Sequence, residues 1–269
     1  MPKLSIITIN FNNASGLRKT IESIVSQTFT DYEYIVIDGA STDGSVDVIK
    51  HYADKITYWV SEPDKGIYNA MNKGILKANG EYCLFLNSGD WLVDNRVLAD
   101  FIIENFDEDI VSGNTYLWNN TVLELCKSIS PNELTYDFLL DLVIIHQSTF
   151  IKKILFDKYG LYNEQLKIVS DWEFFIKALI VNNCTYINYD RLISYYDLNG
   201  ISAQERWLEK QHQEREIVFK NLIPRVNKSY FALRKEIENK NKIITEYSNL
   251  KNGKFGYIVK FMLFLKSIF

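Results

Sequence analysis

Cysteine is scarce in this chain of 269 residues, and the three present, Cys83, Cys126 and Cys184, are scattered and odd in number. No C-x-x-C spacing links them. A disulfide framework and a paired-cysteine zinc site are thereby excluded, and a reducing compartment such as the cytoplasm is expected. No G-x-G-x-x-G follows the first strand-like run, and no P-loop occurs, which removes dinucleotide dehydrogenases and P-loop NTPases. The opening MPKLSIITIN lacks the apolar stretch of a signal peptide and reads as a strand that begins at once. The net charge is −4 with 24% charged residues, so no cationic excess marks a nucleic-acid partner. There is no internal repeat.

What is present is core material. Apolar residues make up 47% of the chain, enough for a sizeable interior. The first half alternates short β-branched runs with helical spacing. Residues 3–10, 33–38, 57–61 and 82–87 read as strands. Leu17, Ile21, Ile24 and Val25 recur at helical spacing, a short helix opens at Gly44-Ser45 with Ser45 as its cap, and residues 66–80 form a helix with glycine at each end. Alternation of this kind predicts an α/β fold with a mostly parallel sheet flanked by helices. Ligands of such sheets bind beyond the carboxyl ends of the strands. Asp38 and Asp90 both stand where an apolar strand runs out, as does the loop after SIITIN. Carboxylates gathered at that edge point to a nucleotide and a metal.

The second half is less regular. Residues 109–118 and 121–129 read as a hairpin around Asn119-Asn120, residues 143–151 as a further strand carrying His146 and Gln147, and residues 184–198 as late strands. Residues 170–181 read as an amphipathic helix with Trp172, Phe175, Ile176 and Leu179 on one face. Ser170-x-x-Glu173 has the form of a capping box. Composition changes near Gln204. A catalytic domain over 1–205 and a helical extension over 206–269 are expected, the latter with a weak heptad pattern and a tail, residues 254–269, that is apolar and carries three lysines. That tail falls short of the roughly 20 residues of a membrane span. It reads as a membrane-surface anchor, with a helix packed on the domain or against a second copy as the alternatives.

The stretch SIITINFNNASGLRKTIESIVSQTFTDYEYIVIDGASTDGS, followed by SEPDKGIYNAMNKGI and FLNSGD, resembles the bacterial family-2 glycosyltransferases. The likeness is specific over residues 3–91 and looser over 146–180. It implies a GT-A fold and an inverting, nucleotide-sugar-dependent reaction of the kind that builds cell-surface polysaccharide such as O-antigen or capsule.

Carried over residue by residue, the resemblance places Thr8, Asn10, Phe11 and Asn12 in the first nucleotide loop, with Phe11 either stacked on uracil or packed in the core. Asp38 matches the base-recognising acid. Asp64, Gly66 and Asn72 fall in the segment lining the nucleotide-sugar site, and Ser88 joins them. Met71 stands where many relatives have arginine, so a cation is missing unless Lys65 or Lys73 supplies it. N-S-G-D stands in for the metal motif and leaves Asp90 as its one acid, compatible with Mg²⁺ or Mn²⁺. Asp171 matches the catalytic base, with Glu173 as the helix cap. His146, Gln147 and Trp172 are assigned to the acceptor or phosphate side, with a satisfied core histidine as the alternative for His146. Asp43 is read as turn chemistry.

The expected partners are a UDP-sugar, a glycan or lipid-diphosphate-linked saccharide acceptor, the inner face of the bacterial membrane through residues 254–269, and a second copy of the chain. The competing reading is a glycosyltransferase-like binding protein that has lost activity.

Overall fold

A computed structural model describes residues 2–119, 121–134, 144–200 and 205–222, with isolated positions between 236 and 245. Two compact units divide the chain, residues 1–215 and 216–269. The tail 254–269 lies outside the described residues, as does nearly all of the heptad-like stretch.

The first unit is built on a sheet of nine strands among the described residues. Strand β1 (Leu4–Asn10) is buried along its whole length. A strand covered on both faces reads as a continuous apolar run, and Leu4, Ile6, Ile7 and Ile9 supply it. β2 (Tyr32–Asp38) and β4 (Tyr82–Phe85) flank β1 in parallel, and β3 (Tyr58–Ser61) adds to β2. The register sets Asn10 opposite Asp38 and Asp38 opposite Ser61, so three polar side chains end at one edge. Helices α1 (Ala14–Val25), α2 (Ser45–His51) and α3 (Ile67–Lys77) join these strands. At Gly74 of α3 a Cβ would lie 2.4 Å from Ile7 Cγ2, so glycine lets the helix approach the sheet.

β5 (Trp91–Leu92) and α4 (Val97–Glu104) follow. The sheet then changes direction. β6 (Ile110–Trp118) and β7 (Leu123–Cys126) form the expected hairpin. β8 (Thr149–Lys152) enters antiparallel between β4 and β6, and β9 (Tyr186–Asp197) runs parallel to β6 and antiparallel to β5. α5 (Ile154–Tyr159) follows β8. α6 (Ser170–Phe175) runs on into a π-helical turn, Ile176–Val181. α7 spans Leu208–Leu222.

Three local expectations are corrected. His146 and Gln147 do not sit on a strand. They form a 3₁₀ turn, His146–Ser148, because the hydroxyls of Ser148 and Thr149 both donate to the Ile145 carbonyl and curl the backbone before β8 begins. Ser45 is not the cap of α2; Gly44 is, and the Asp43 carboxylate accepts from the Ser45 backbone and hydroxyl. The capping box at Ser170 does not form. The helix begins one residue earlier than that motif needs, with Val169 at the cap, and the Ser170 hydroxyl accepts from the Asn163 N–H instead.

Candidate active site

A cleft of about 820 Å³ opens at the carboxyl ends of β1, β2 and β4. Its size suits a small-molecule ligand. One end is a polar cup. The Asn10 amide donates to Asp38 Oδ1 at 2.7 Å, the Ser41 hydroxyl at 2.6 Å, and the Ser61 hydroxyl to Oδ2 at 2.6 Å, with the Ser41 N–H at 2.9 Å. Burial alone would raise the Asp38 pKa, but these bonds from Ser41, Ser61 and Asn10 hold it below the usual carboxylate value. Asn10 Oδ1 is buried with no hydrogen-bond partner among the described residues. It is an acceptor awaiting a donor.

Phe11 is 64% exposed on the cleft wall, which settles it outside the core. Asn12 pins the neighbouring loop: its N–H donates to Ser41 Oγ and its Oδ1 accepts from the Thr42 N–H. Asp64 lines the cleft and accepts from the Gly66 N–H at 2.9 Å, and Gly66 has a φ of +122° that favours glycine. Thr8 is not brought to the cleft. It is fully buried, and its hydroxyl accepts from Tyr34. Asn72 also turns elsewhere. Its amide donates to the Tyr162 carbonyl and Glu164, and its oxygen accepts from the Tyr162 N–H. Met71 is core. Lys73 pairs with Glu62 at 2.7 Å.

At the other end lies the turn after β4. Thr20 on α1 holds it, donating to the Asp90 carbonyl and accepting from the Gly89 N–H. Ser88 lines the cleft, and its carbonyl accepts from the Asn13 amide. Asp90 is only 4% exposed, and burial pushes its carboxyl up to about 7. Its Oδ1 accepts from the Asp197 N–H at 2.9 Å, and Gln147 also bonds it. The Asp197 carboxylate, at the end of β9, lines the same part of the cleft. Gly89 (φ +111°) leaves room for it, since a Cβ there would meet Asp197 Oδ2 at 3.2 Å. No cluster of three potential metal-ligating side chains occurs among the described residues. The pair of oxygen donors nevertheless fits a hard divalent cation, because a buried carboxylate that resists ionisation lacks a counter-charge.

Behind the cleft, Asp171 sits at the start of α6. The Tyr68 hydroxyl donates to its Oδ1 at 2.9 Å, and His146 Nδ1 lies 2.9 Å from Oδ2. Burial would raise its pKa, but the His146 contact and the Tyr68 hydrogen bond hold it below the usual range. His146 Nε2 lies 3.3 Å from the Asn87 amide nitrogen, and Asn87 lines the cleft. Trp172 is 1% exposed and lies under the Arg215 guanidinium at 4.9 Å, away from the cleft lining.

Four residues of this arrangement escaped the sequence reading: Ser41, Ser61, Tyr68 and Asp197. Asp197 carried a usable signal, since YYD ends a strand in an acid as Asp38 and Asp90 do. The serines and Tyr68 carried none, because only the folded register brings them to their partners.

The pattern described as Glycosyl transferase family 2 matches residues 5–153. An uncharacterized glycosyltransferase of Mycobacterium tuberculosis is 31% identical over 230 residues, covering 82% of each chain. A PGL/p-HBAD biosynthesis glycosyltransferase of Mycobacterium bovis is 31% identical over 209 residues, covering 75% of this chain and 79% of its own. Among solved structures, S. aureus TarS 1–349 in complex with UDP-GlcNAc aligns with a TM-score of 0.64 at 20% identity, covering 82% of this chain and 67% of TarS 1–349. Mannosyltransferase PcManGT from Pyrobaculum calidifontis, in complex with GDP-Man and Mn²⁺, aligns at 0.62 and 17%, covering 83% and 64%. At those identities the structural likeness establishes the GT-A type of fold. The sequence relatives and the family match establish the rest: this chain belongs to glycosyltransferase family 2, and it is a glycosyltransferase.

Proposed function

We propose that the enzyme moves a sugar from a UDP-sugar to a hydroxyl of a glycan or lipid-linked saccharide, inverting the anomeric centre, in the synthesis of a surface polysaccharide or glycolipid. The observation that carries the donor assignment is the buried, unpartnered Asn10 Oδ1 beside Asp38. An imide N–H, as in uracil, complements that acceptor, and a pyrimidine base leaves Phe11 its ring face. Phe11 offers a ring face for the base. Asn12, Asp64, Gly66 and Ser88 complete the donor side of the cleft.

Asp90, with Asp197 beside it, would hold a divalent cation, Mg²⁺ or Mn²⁺. Bound there, the ion supplies positive charge against the diphosphate. Met71, where many relatives have arginine, is apolar core, and Lys73 is paired with Glu62, which leaves exposed Lys65 as the nearby cation of that segment. Gln147 orients the Asp90 carboxylate. The acceptor proton goes to the buried Asp171–His146 pair. TarS, which binds UDP-GlcNAc, and PcManGT, which binds GDP-Man with Mn²⁺, support both the nucleotide and the metal.

No helix among the described residues is long and apolar enough to cross a membrane. We place the enzyme in the cytoplasm at the inner membrane face, held there by residues 254–269. A second copy of the chain remains an alternative partner for that tail.

The test is calorimetric titration with UDP, GDP and ADP, followed by UDP release from a panel of UDP-sugars with membrane lipid extract as acceptor. UDP binding in preference to ADP, with product seen by mass spectrometry, is the expected result. UDP binding without release from any donor would leave a binding protein.

A further inference from the structure

We propose that Glu214 is a positioning residue for the transfer reaction, acting through the main chain that carries Asp171, with Arg215 holding the same segment from its other side. The inference rests on the glycosyl-transfer reading above, in which the acceptor's proton goes to the Asp171–His146 pair.

Glu214 lies on α7, within the stretch that the sequence sets apart as a helical extension. It is nonetheless only 1% exposed. Acids are almost never buried to that extent unless their oxygens are paired. Here both oxygens turn to main chain. Oε1 accepts from the Lys167 N–H at 2.8 Å, and Oε2 from the Ile168 N–H at 3.0 Å. The Lys210 ammonium, one turn earlier on the helix, stands 3.7 Å from Oε1. Ile168 comes shortly before Asp171 in the chain. The next residue of α7, Arg215, sets its guanidinium over the Trp172 ring at 4.9 Å, and Trp172 follows Asp171 directly. Two successive residues of one helix therefore grip the chain on both sides of the acid. Both belong to the first compact unit, which ends at Arg215.

The local sequence explains why α6 depends on that grip. The helix has six residues and no side-chain cap. The Ser170 hydroxyl is taken by the Asn163 N–H. Residues 160–169 form neither helix nor strand, so no ladder holds the chain as it approaches Asp171. The Lys167 and Ile168 N–H groups instead find their acceptor 47 and 46 residues later. Tyr68 and His146 fix the Asp171 carboxylate at its oxygens, while Glu214 and Arg215 fix the backbone from which it projects. A reacting group needs both, because a misplacement of about 1 Å costs on the order of 100-fold in rate. Residues 206–215 thus serve the chemistry, and the extension proper begins after them.

Donor hydrolysis by the full chain tests this without knowledge of the acceptor. UDP-glucose, UDP-galactose and UDP-GlcNAc are offered, and UDP release is measured below the melting temperature of each variant. Glu214→Gln should lose on the order of 10- to 100-fold in kcat, with donor KM and UDP affinity unchanged, because Asn10 and Asp38 are untouched. Glu214→Asp keeps the charge on a side chain one methylene shorter. It should retain more kcat than Glu214→Gln, and it is the working variant should glutamine fail to fold. The second readout is independent of turnover. The chain has three histidines, so selective labelling resolves the His146 ring protons by NMR, assigned by their loss in His146→Gln. Those resonances should move in the Glu214 variant, since the Asp171 contact at Nδ1 is what shifts. A folded variant with lowered melting temperature and wild-type kcat would overturn the inference and leave Glu214 a structural residue. So would a fall in kcat with His146 resonances unmoved, or one matched by an equal loss of UDP affinity. Each of those results leaves the transfer reading intact. A wild-type enzyme that binds UDP but cleaves none of the three donors would overturn both.

Discussion

Asn10 and Asp38 lie directly opposite each other in parallel register, and the Asn10 amide donates to the buried Asp38 carboxylate at 2.7 Å. Ser41 and Ser61 complete the acid's coordination. Asp38 is therefore more than a strand-end residue facing solvent. It organises the cup that faces the nucleotide.

Asp38→Ala should consequently harm folding as well as binding. It leaves several donors without their acceptor, at about 1–3 kcal/mol for a buried group left unsatisfied. Urea denaturation should show that loss, and UDP affinity should fall with it. A variant with wild-type stability and wild-type UDP affinity would contradict the role assigned here. The acid's depressed pKa gives a pH signature. Its contribution is present above the ordinary carboxylate pKa and is lost as pH falls through the lower native value.

Asp90 behaves in the opposite sense. Its carboxyl is raised from 3.8 to about 7 by burial, so the native state holds a proton that the unfolded chain has released. Without metal, stability should fall as pH rises between about 4 and 7, by roughly 4 kcal/mol in total at about 1.36 kcal/mol per unit. A cation competes with that proton. Mn²⁺ with UDP should therefore raise the melting temperature more at pH 8 than at pH 5.5. Asp90→Asn should flatten both dependences. An equal metal-induced shift at the two pH values, by differential scanning fluorimetry, would remove Asp90 from the metal site.

Much of this was legible in the sequence where it depended on local pattern. The four N-terminal strands, the α/β alternation and the strand-end acids follow from apolar runs that stop at polar residues. What was not legible depended on long-range register. The apolar, β-branched run VIIHQSTFI reads as a strand through His146. Two hydroxyls on one carbonyl turned it into a 3₁₀ bend. The family resemblance puts Trp172 on the acceptor side, yet Arg215, 43 residues later in the chain, covers its ring.

Gly74 offers a test of the fold independent of the chemistry. Gly74→Ala would place a methyl against Ile7 Cγ2, a branch fixed in a buried strand. Overpacking of this kind costs about 1–3 kcal/mol, which outweighs the helix-propensity gain of about 1 kcal/mol. The melting temperature should drop. A rise would show that α3 can move off the sheet without loss.

The last prediction concerns Asn72, which the family resemblance places with the nucleotide. Its amide donates to the Tyr162 carbonyl at 2.8 Å and to Glu164 at 3.0 Å, and its oxygen accepts from the Tyr162 N–H at 3.0 Å. The side chain therefore reads both backbone groups of one residue and ties α3 to the loop before α6. That loop leads to Asp171, and Tyr68 on the same helix reaches Asp171 directly. Asn72→Ala should leave a buried N–H and C=O of Tyr162 unpaired and cost about 2 kcal/mol or more. UDP affinity should change little, because Asn10, Phe11 and Asp38 are untouched. Donor hydrolysis should fall further than stability alone accounts for, since the hold on Asp171 loosens. Asn72→Asp keeps the acceptor for the Tyr162 N–H but sets a buried carboxylate oxygen against the Tyr162 carbonyl and the Glu164 carboxylate, so it should be no more stable than alanine. The converse result, weakened UDP binding with full stability, would return Asn72 to the nucleotide site.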